Sequence, residues 1–433
     1  MSTEQLSEDH LAEESPDQLS QRRSLVQLAV VLISAVLASI AFHITDVLIV
    51  VAAIVIMVMV HELGHFLTAK WSGMKVTEYF LGFGPRVWSV RRGETEYGVK
   101  AIPAGGYVKI IGMTNLEEVD PADEPRSYRQ QPFHRRLLVA VAGSTMHFVM
   151  AFVLIWAVLA VIGIPGPGTV VIQGLTAWQG PPSPARAAGL HAGEEIVAVD
   201  GHRVTRFGQV AAVTGSHVGQ PVRLEVRSGK GTRTVTLVPV DGEHVRVDGQ
   251  RVLPKKDPTP GLIGVDLTYA PVRTGPLVAV GDSATAFART FDASILALGH
   301  VFSPSGLATY FHELSSAKAA QRAARQGTRP ESIYGAVRTA VQGAQAGIGD
   351  LLAVLISINI FIGLVNLFPM LPLDGGHVAV AVYERVRSRR GRPYHADVSK
   401  LLPVAYLMIA FLGFIFISSL YLDIVHPVAN PFR

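Results

Sequence analysis

The sequence predicts a polytopic α-helical membrane protein of about five spans, with a β-rich extracytoplasmic domain inserted between the third and fourth. Three observations carry this. Of 433 residues, 49% are hydrophobic and only 17% charged, a balance foreign to soluble domains. Five mainly apolar stretches, at 24–43, 47–68, 137–163, 347–368 and 402–424, are each about 20 residues or more, enough to cross a hydrocarbon core of about 30 Å. Between the third and fourth, segments such as Val222-Arg223-Leu224-Glu225-Val226 alternate apolar with polar between glycine turns, the period of half-buried strands.

Residues 1–23 are rich in Ser, Glu, Asp and Gln. They lack the basic start and small-residue cleavage site of a secretory signal and read as a disordered cytoplasmic tail. Arg22 and Arg23 precede the first span, the 70–136 connection is dense in Lys and Arg, and so is the link from Arg385 to Lys400. The positive-inside rule therefore places the amino terminus and all three basic regions in the cytoplasm, and the turn at His43–Asp46 outside; the expected location is the cell's inner (plasma) membrane. Within the first membrane block, 24–163, Glu96–Ile111 alternates like two short strands about a Pro103-Ala104-Gly105-Gly106 turn, and Asn115–Pro132 is acidic and irregular. Gly82-Phe83-Gly84 has no strand-to-helix context for a nucleotide loop and reads as a tight turn. Residues 164–275 form the β-rich domain, 276–346 an Ala-rich stretch of one or two juxtamembrane helices, and 347–433 the second membrane block.

The formal charge of +4 is spread without a continuous basic tract, so no nucleic-acid partner is expected. There is no cysteine. Any metal must then be held by His, Asp or Glu.

The second span ends in His61-Glu62-Leu63-Gly64-His65. Histidines four apart share a helix face, so both imidazoles can reach one Zn²⁺ while Glu62 addresses a water as general acid/base. Two satisfied structural histidines are the bland alternative. It is weakened because such residues in lipid are costly unless they serve a site. A catalytic zinc needs a third protein ligand, and Asp374 in Asn366-Leu-Phe-Pro-Met-Leu-Pro-Leu-Asp374-Gly-Gly-His377 lies at a similar depth under the proposed topology. Pro369 and Pro372 should break the helix there, and Gly375 and Gly376 should permit unusual dihedrals in an unwound segment.

The pairing of this His-Glu-x-x-His with a later Asn-x-x-Pro-x-x-x-Leu-Asp-Gly-Gly resembles the site-2 protease family, in particular bacterial intramembrane proteases of the RseP type, over about residues 45–425. The resemblance implies zinc on His61, His65 and Asp374, Glu62 activating water, and Asn366 and Pro369 helping to place the substrate backbone. It also implies that 96–111, with Gly105, Gly106 and Tyr107, is a membrane-associated β element able to pair with an unwound substrate strand. Ser183-Pro-Ala-Arg-Ala-Ala-Gly189 through Asp200-Gly201 is similar to the family's PDZ module. The substrates implied are single-span membrane proteins, such as anti-sigma factors or remnant signal peptides in regulated intramembrane proteolysis, with an upstream site-1 protease as a possible partner.

The chain departs from the family in carrying Leu371, with proline at 372, where the family usually has proline two residues after the match to Pro369, and Ala142-Gly143-Ser144-Thr145-Met146-His147 where the family has Ala-Gly-Pro-x-x-Asn. His147 and His377 are expected to pack behind the ligands, while His43, His191 and His202 are expected at the solvated surface. A metal transporter would also place His and Asp in the membrane but has no need of Glu62. A non-catalytic PDZ-bearing scaffold should have lost Glu62 or a ligand.

Overall fold

The computed structural model describes residues 16–113, 117–229, 231–247, 250–251, 259–326, 328–388, 394 and 396–432. The chain divides into two compact units, one made of Met1–Ile155 with Ser283–Arg433 and the other of Trp156–Asp282.

The chain opens with α1 (Pro16–Ala41) and α2 (Thr45–Trp71), continues through the long strands β1 (Val76–Arg92) and β2 (Thr95–Ile110), and enters α3 (Phe133–Ala157), which runs on as a π turn to Ile162. The two strands pair antiparallel: Val76 opposes Ile110 and Phe80 opposes Tyr107, while further out Trp88 opposes Val99 and Arg92 opposes Thr95. Tyr79–Leu81 also lie in register with Tyr97–Val99, so the middle of β1 is flanked on both sides. The expected pair of short strands about a Pro-Ala-Gly-Gly turn is thus replaced by one continuous strand whose ends pair with different parts of β1. Gly82 and Gly84, at φ +86° and +83°, lie inside β1 rather than in a tight turn. A Cβ on Gly82 would sit 2.7 Å from the Ile102 carbonyl oxygen, so β2 crosses β1 there too closely for a side chain.

The closing turn of this hairpin is stapled to the end of α2. Lys70 Nζ donates to Glu94 at 2.5 Å, and Arg126 donates through both terminal nitrogens at 2.7 and 2.9 Å. The Arg126 guanidinium, helped by Lys70, holds the Glu94 carboxyl down at about 2. After the hairpin, the described part of the 115–132 stretch is irregular but for short 3₁₀ turns at Glu124–Arg126 and Tyr128–Gln130, while Asn115 lies outside the described residues.

The second unit contains β3 (Ile164–Leu175), α4 (Pro184–Ala187), β4 (Glu195–Val199), β5 (His202–Arg203), α5 (Phe207–Ser216), β6 (Val222–Ser228), β7 (Gly231–Leu237) and β8 (Val265–Val272). These strands form an antiparallel sheet in the order β8-β3-β4-β6-β7, with β5 added on β4. Alternation builds its core: Val222, Leu224 and Val226 are buried with Ile172 and Ile196, while Arg223 points to solvent. Ser183 caps α4, and Gly189, Gly193 and Gly201 turn the chain at positive φ. His43, His191 and His202 are exposed.

From there the chain forms α6 (Pro276–Val301), α7 (Pro304–Ser315), α8 (Ala317–Gln326), α9 (Ile333–Ala346), α10 (Ile348–Asn366), α11 (Asp374–Arg387) and α12 (Leu402–Val425). Four helices stand where one or two were expected, because Ser303 and Ser332 each cap a new start, accepting from the Gly306 and Gly335 amides.

Among the described residues, four helical segments are long and apolar enough to cross a membrane: Thr45–Trp71, Phe133–Ile162, Ile348–Asn366 and Ser399–Val425. They match predicted spans two to five, and the first predicted span falls in α1, whose apolar part is Leu25–Ala41. Large apolar side chains such as Leu407, Ile417 and Ile424 point outward, which suits lipid as the surrounding solvent. Inside this unit α2, α9 and α10 meet through Val50, Met57, Ala340 and Leu355. α12 is tied to the start of α9 by a fully buried pair: Arg329 donates to Asp423 at 2.6 Å, and the Ser332 amide donates to the other carboxylate oxygen at 2.7 Å.

Candidate metal centre

The apolar run Val47–Val60 has no breaker and carries α2 straight into His61 and His65, one turn apart and both buried. His65 Nδ1–H donates to the Val139 carbonyl of α3 at 2.8 Å. That bond leaves Nε2 as a lone pair. The Nε2 atoms of the two histidines are 3.3 Å apart, and Asp374 Oδ2 lies 3.5 Å from His61 Nε2 and 3.2 Å from His65 Nε2. Ligands at 2.0–2.1 Å around a tetrahedral zinc are about 3.3 Å from one another, so the three atoms already stand on one face of such a tetrahedron. His61, His65 and Asp374 are the His, Asp or Glu group so gathered among the described residues. Two nitrogen lone pairs and a carboxylate oxygen directed at one point repel each other unless a cation sits among them, and Asp374 Oδ2 is buried with no hydrogen-bond partner. The donor set fits zinc.

The close approach of α3 depends on missing side chains. A Cβ on Gly143 would collide with both imidazole rings, and one on Gly64 would meet Met146 Cγ at 2.6 Å and the Ala142 carbonyl oxygen at 2.7 Å. Small residues facing each other let two membrane helices touch backbone to backbone. His147, one turn beyond Gly143 and buried, tilts against His61 with ring centroids 5.0 Å apart. Its Nδ1 pairs with Asn359 Oδ1 of α10 at 2.9 Å, and the Asn359 amide nitrogen donates to the Leu355 carbonyl at 2.8 Å. It therefore packs on a ligand ring while its hydrogen bond runs to α10. Sequence reasoning did not single out Gly143, Asn359 or the Val139 carbonyl; the one readable signal was an Asn in an otherwise apolar span.

Asp374 is the first residue of α11. The chain leaves α10 at Asn366, turns through 367–373 with a cis Leu371-Pro372 bond, and re-enters helix. Gly375 and Gly376 are helical, which corrects the expectation that they supply unusual dihedrals. Their use is space: a Cβ on Gly375 would land on the Leu367 and Phe368 main chain, and one on Gly376 would come 2.5 Å from the Leu371 nitrogen. The turn thus folds back against the first turn of α11. The rest of α11 is clamped to α3: Glu384 pairs in the core with Arg136, accepts the Ala396 amide at 2.7 Å, and Tyr128 donates to the Arg136 carbonyl at 3.1 Å. His377 packs edge-on against Tyr128.

Glu62 is half-buried beside this trio, its carboxylate within hydrogen-bonding reach of the Val108 main chain. β2 comes close because Gly106 has no side chain; a Cβ there would lie 3.1 Å from Glu62 Cγ and 3.2 Å from Met59 Sδ. Tyr79 of β1 fixes the approach by donating to the Met59 carbonyl at 2.7 Å. Gly105 turns at φ +153°, a Cβ there meeting the Phe83 ring at 3.2 Å. Tyr107 points into the hairpin, donating to Glu78 and accepting from Lys100. Asn366 is half-buried at the end of α10, and Pro369 lines a separate cavity.

The model of Peptidase family M50 matches residues 49–412. The chain is 35% identical over 412 residues to zinc metalloprotease Rip1 of Mycobacterium tuberculosis, covering 89% of this chain and 98% of that protein. It is 34% identical over 407 residues to zinc metalloprotease Rip1 of Mycolicibacterium smegmatis, covering 87% and 96%.

Proposed function

The chain belongs to peptidase family M50, the site-2 proteases, as a multi-pass membrane zinc metalloprotease, and from this we propose that it cuts single-span membrane proteins inside the bilayer, with Glu62 as the general acid/base. His61, His65 and Asp374 hold the metal. When bound, zinc supplies Lewis-acid polarisation of the scissile carbonyl and acidifies a water. Glu62 takes the proton of the attacking water and delivers it to the leaving amine nitrogen, so that bond cleavage releases a neutral amine. The observation that carries the reading is the placement of Glu62, one residue from a ligand and against a strand that comes close because Gly106 has no side chain.

A helical substrate hides its carbonyls in its own hydrogen bonds. The segment Gly106–Ile110 offers main-chain groups along which an unwound stretch can lie, with Asn366 and Pro369 placing the substrate backbone from the opposite motif. The basic flanks support a cytoplasmic amino terminus and an extracytoplasmic inserted unit. Its PDZ-like sequence supports a filter that admits substrates already trimmed by a site-1 protease, such as anti-sigma factors, or remnant signal peptides.

The test is cleavage of a single-span substrate by wild type and Glu62→Gln in the same detergent. The variant is expected to keep its zinc and lose about 10²–10⁴-fold in rate. Equal cleavage would sink the mechanism. Zinc analysis of Asp374→Ala tests the ligand set, and retained stoichiometry with normal activity would remove Asp374 from it.

A further inference from the structure

Beside the loop that leads into Asp374 lies a cavity of about 350 Å³, within the roughly 300–1,000 Å³ of small-ligand sites. Pro369 and Leu371 of the loop line it together with Gly376 and Val380 of α11, Leu401 just before α12 and Val404 in its first turn. The lining is apolar where it meets the membrane span. Polar groups gather elsewhere around it: Tyr383, Tyr394, Asp397 and Lys400. Lys400 is 82% exposed and pairs with Asp397 at 3.7 Å. The Arg387 guanidinium lies over the rings of Tyr383 and Tyr394, at 5.8 and 5.2 Å.

The sequence from the end of α11 to the start of α12 is one-sided in charge: residues 385–400 hold six cations, of which Arg385, Arg387 and Lys400 belong to the described residues, against the single anion Asp397. Glu384 does not offset them, because its carboxylate is buried and matched to Arg136. A juxtamembrane cluster of this size attracts anionic lipid, and alone it is an ordinary topology signal. Beside it here is an apolar cavity next to the point where α12 begins its span.

We propose that this cavity binds an anionic phospholipid, one acyl chain lying between α11 and α12 and the phosphate held by the Arg387 and Lys400 cluster. The chain would touch Pro369 and Gly376, so the occupant contacts the main chain that sets the position of Asp374. An apolar slot and a basic rim together match an amphiphile of negative charge. They match neither a soluble anion nor a neutral lipid as well.

The test is a titration of the full chain, in mild detergent and carrying Glu62→Gln so that proteolysis plays no part, with fluorescent phosphatidylglycerol and fluorescent phosphatidylcholine. Phosphatidylglycerol is expected to bind at least ten-fold tighter, and glycerophosphoglycerol, which has the headgroup without chains, to compete at least ten-fold more weakly than unlabelled lipid. Arg387→Glu with Lys400→Glu, both at exposed positions, should weaken phosphatidylglycerol by roughly 30-fold or more, the loss expected of removing two cations near an anionic lipid. Val380→Trp, which fills the cavity, should weaken it ten-fold or more without altering the charge. If that variant fails to fold, the charge variant and the competitor decide. Equal affinity for the two lipids, equal competition by glycerophosphoglycerol, or unchanged binding in the charge variant would each overturn the site.

Discussion

Gly143 brings no side chain to the metal trio, and that absence is what lets α3 lie against both imidazoles. Gly143→Ala should therefore fold with wild-type helicity but lose most of its zinc, as read by metal content beside circular dichroism; full zinc content would show that the rings can shift. Asn359→Leu makes a different demand. It leaves His147 Nδ1 buried without its partner, at a cost of about 1–3 kcal/mol, which a lowered thermal midpoint of the metal-loaded protein would report. That His61, His65 and Asp374 come together was readable in the sequence, because polar and acidic groups beside apolar runs are costly and so draw the eye. Gly143 was not, since a glycine within a helix looks like a propensity penalty until the partner helix is known. Asn359 was overshadowed by Asn366 seven residues on, and only the three-dimensional meeting of α3 with α10 reveals its partner.

Helix α11 presents Asp374 from its first residue, and its registration on α3 rests on the buried Arg136–Glu384 pair. Glu384→Ala leaves Arg136 uncompensated in the core, a loss of about 3–5 kcal/mol; differential scanning in detergent should show a large drop in midpoint, and a change of only a degree or two would mean that the pair is solvated. The β1–β2 hairpin has an acid-sensitive staple. The Glu94 carboxyl, at about 2 in the folded chain against an ordinary 4.5, binds fewer protons folded than unfolded across that window. Its contribution is complete above about pH 4.5 and is lost as pH falls through 2. Glu94→Gln in metal-free protein should flatten the pH dependence of stability between those limits, while an unchanged profile would assign the acid sensitivity elsewhere. The strand character of Glu96–Ile111 was visible in its alternation. Its partner was not, because the register is set by residues up to 34 positions away, from Val76 to Ile110, and by the glycine crossing at Gly82. Local pattern carries no information on either.

At the scale of the molecule, hydropathy located the four membrane-capable helices of the described residues, and alternation the β-rich stretch between the second and third of them. They missed the number of helices after that stretch, since an amphipathic Ala-rich period shows helix without showing where one helix gives way to the next, and two of those divisions rest on single capping serines. The hairpin, in turn, is held to α2 at two points, by Tyr79 on Met59 near Glu62 and by Glu94 on Lys70 at the closing turn. Serving as the template proposed above, a hairpin fixed in this way would not reshape itself around a guest. The work of leaving the helix then falls on the guest, and main-chain pairing beside Gly106 is blind to side-chain identity. Selectivity would follow how readily a segment uncoils: each Ala→Gly change near the cut relieves about 1 kcal/mol of helix preference and should quicken cleavage about five-fold, measurable on a series of otherwise identical single-span substrates. Rates indifferent to such changes would mean that the substrate arrives already extended. On this account, the cleavage site is chosen by the weakest helix among those that pass the gate.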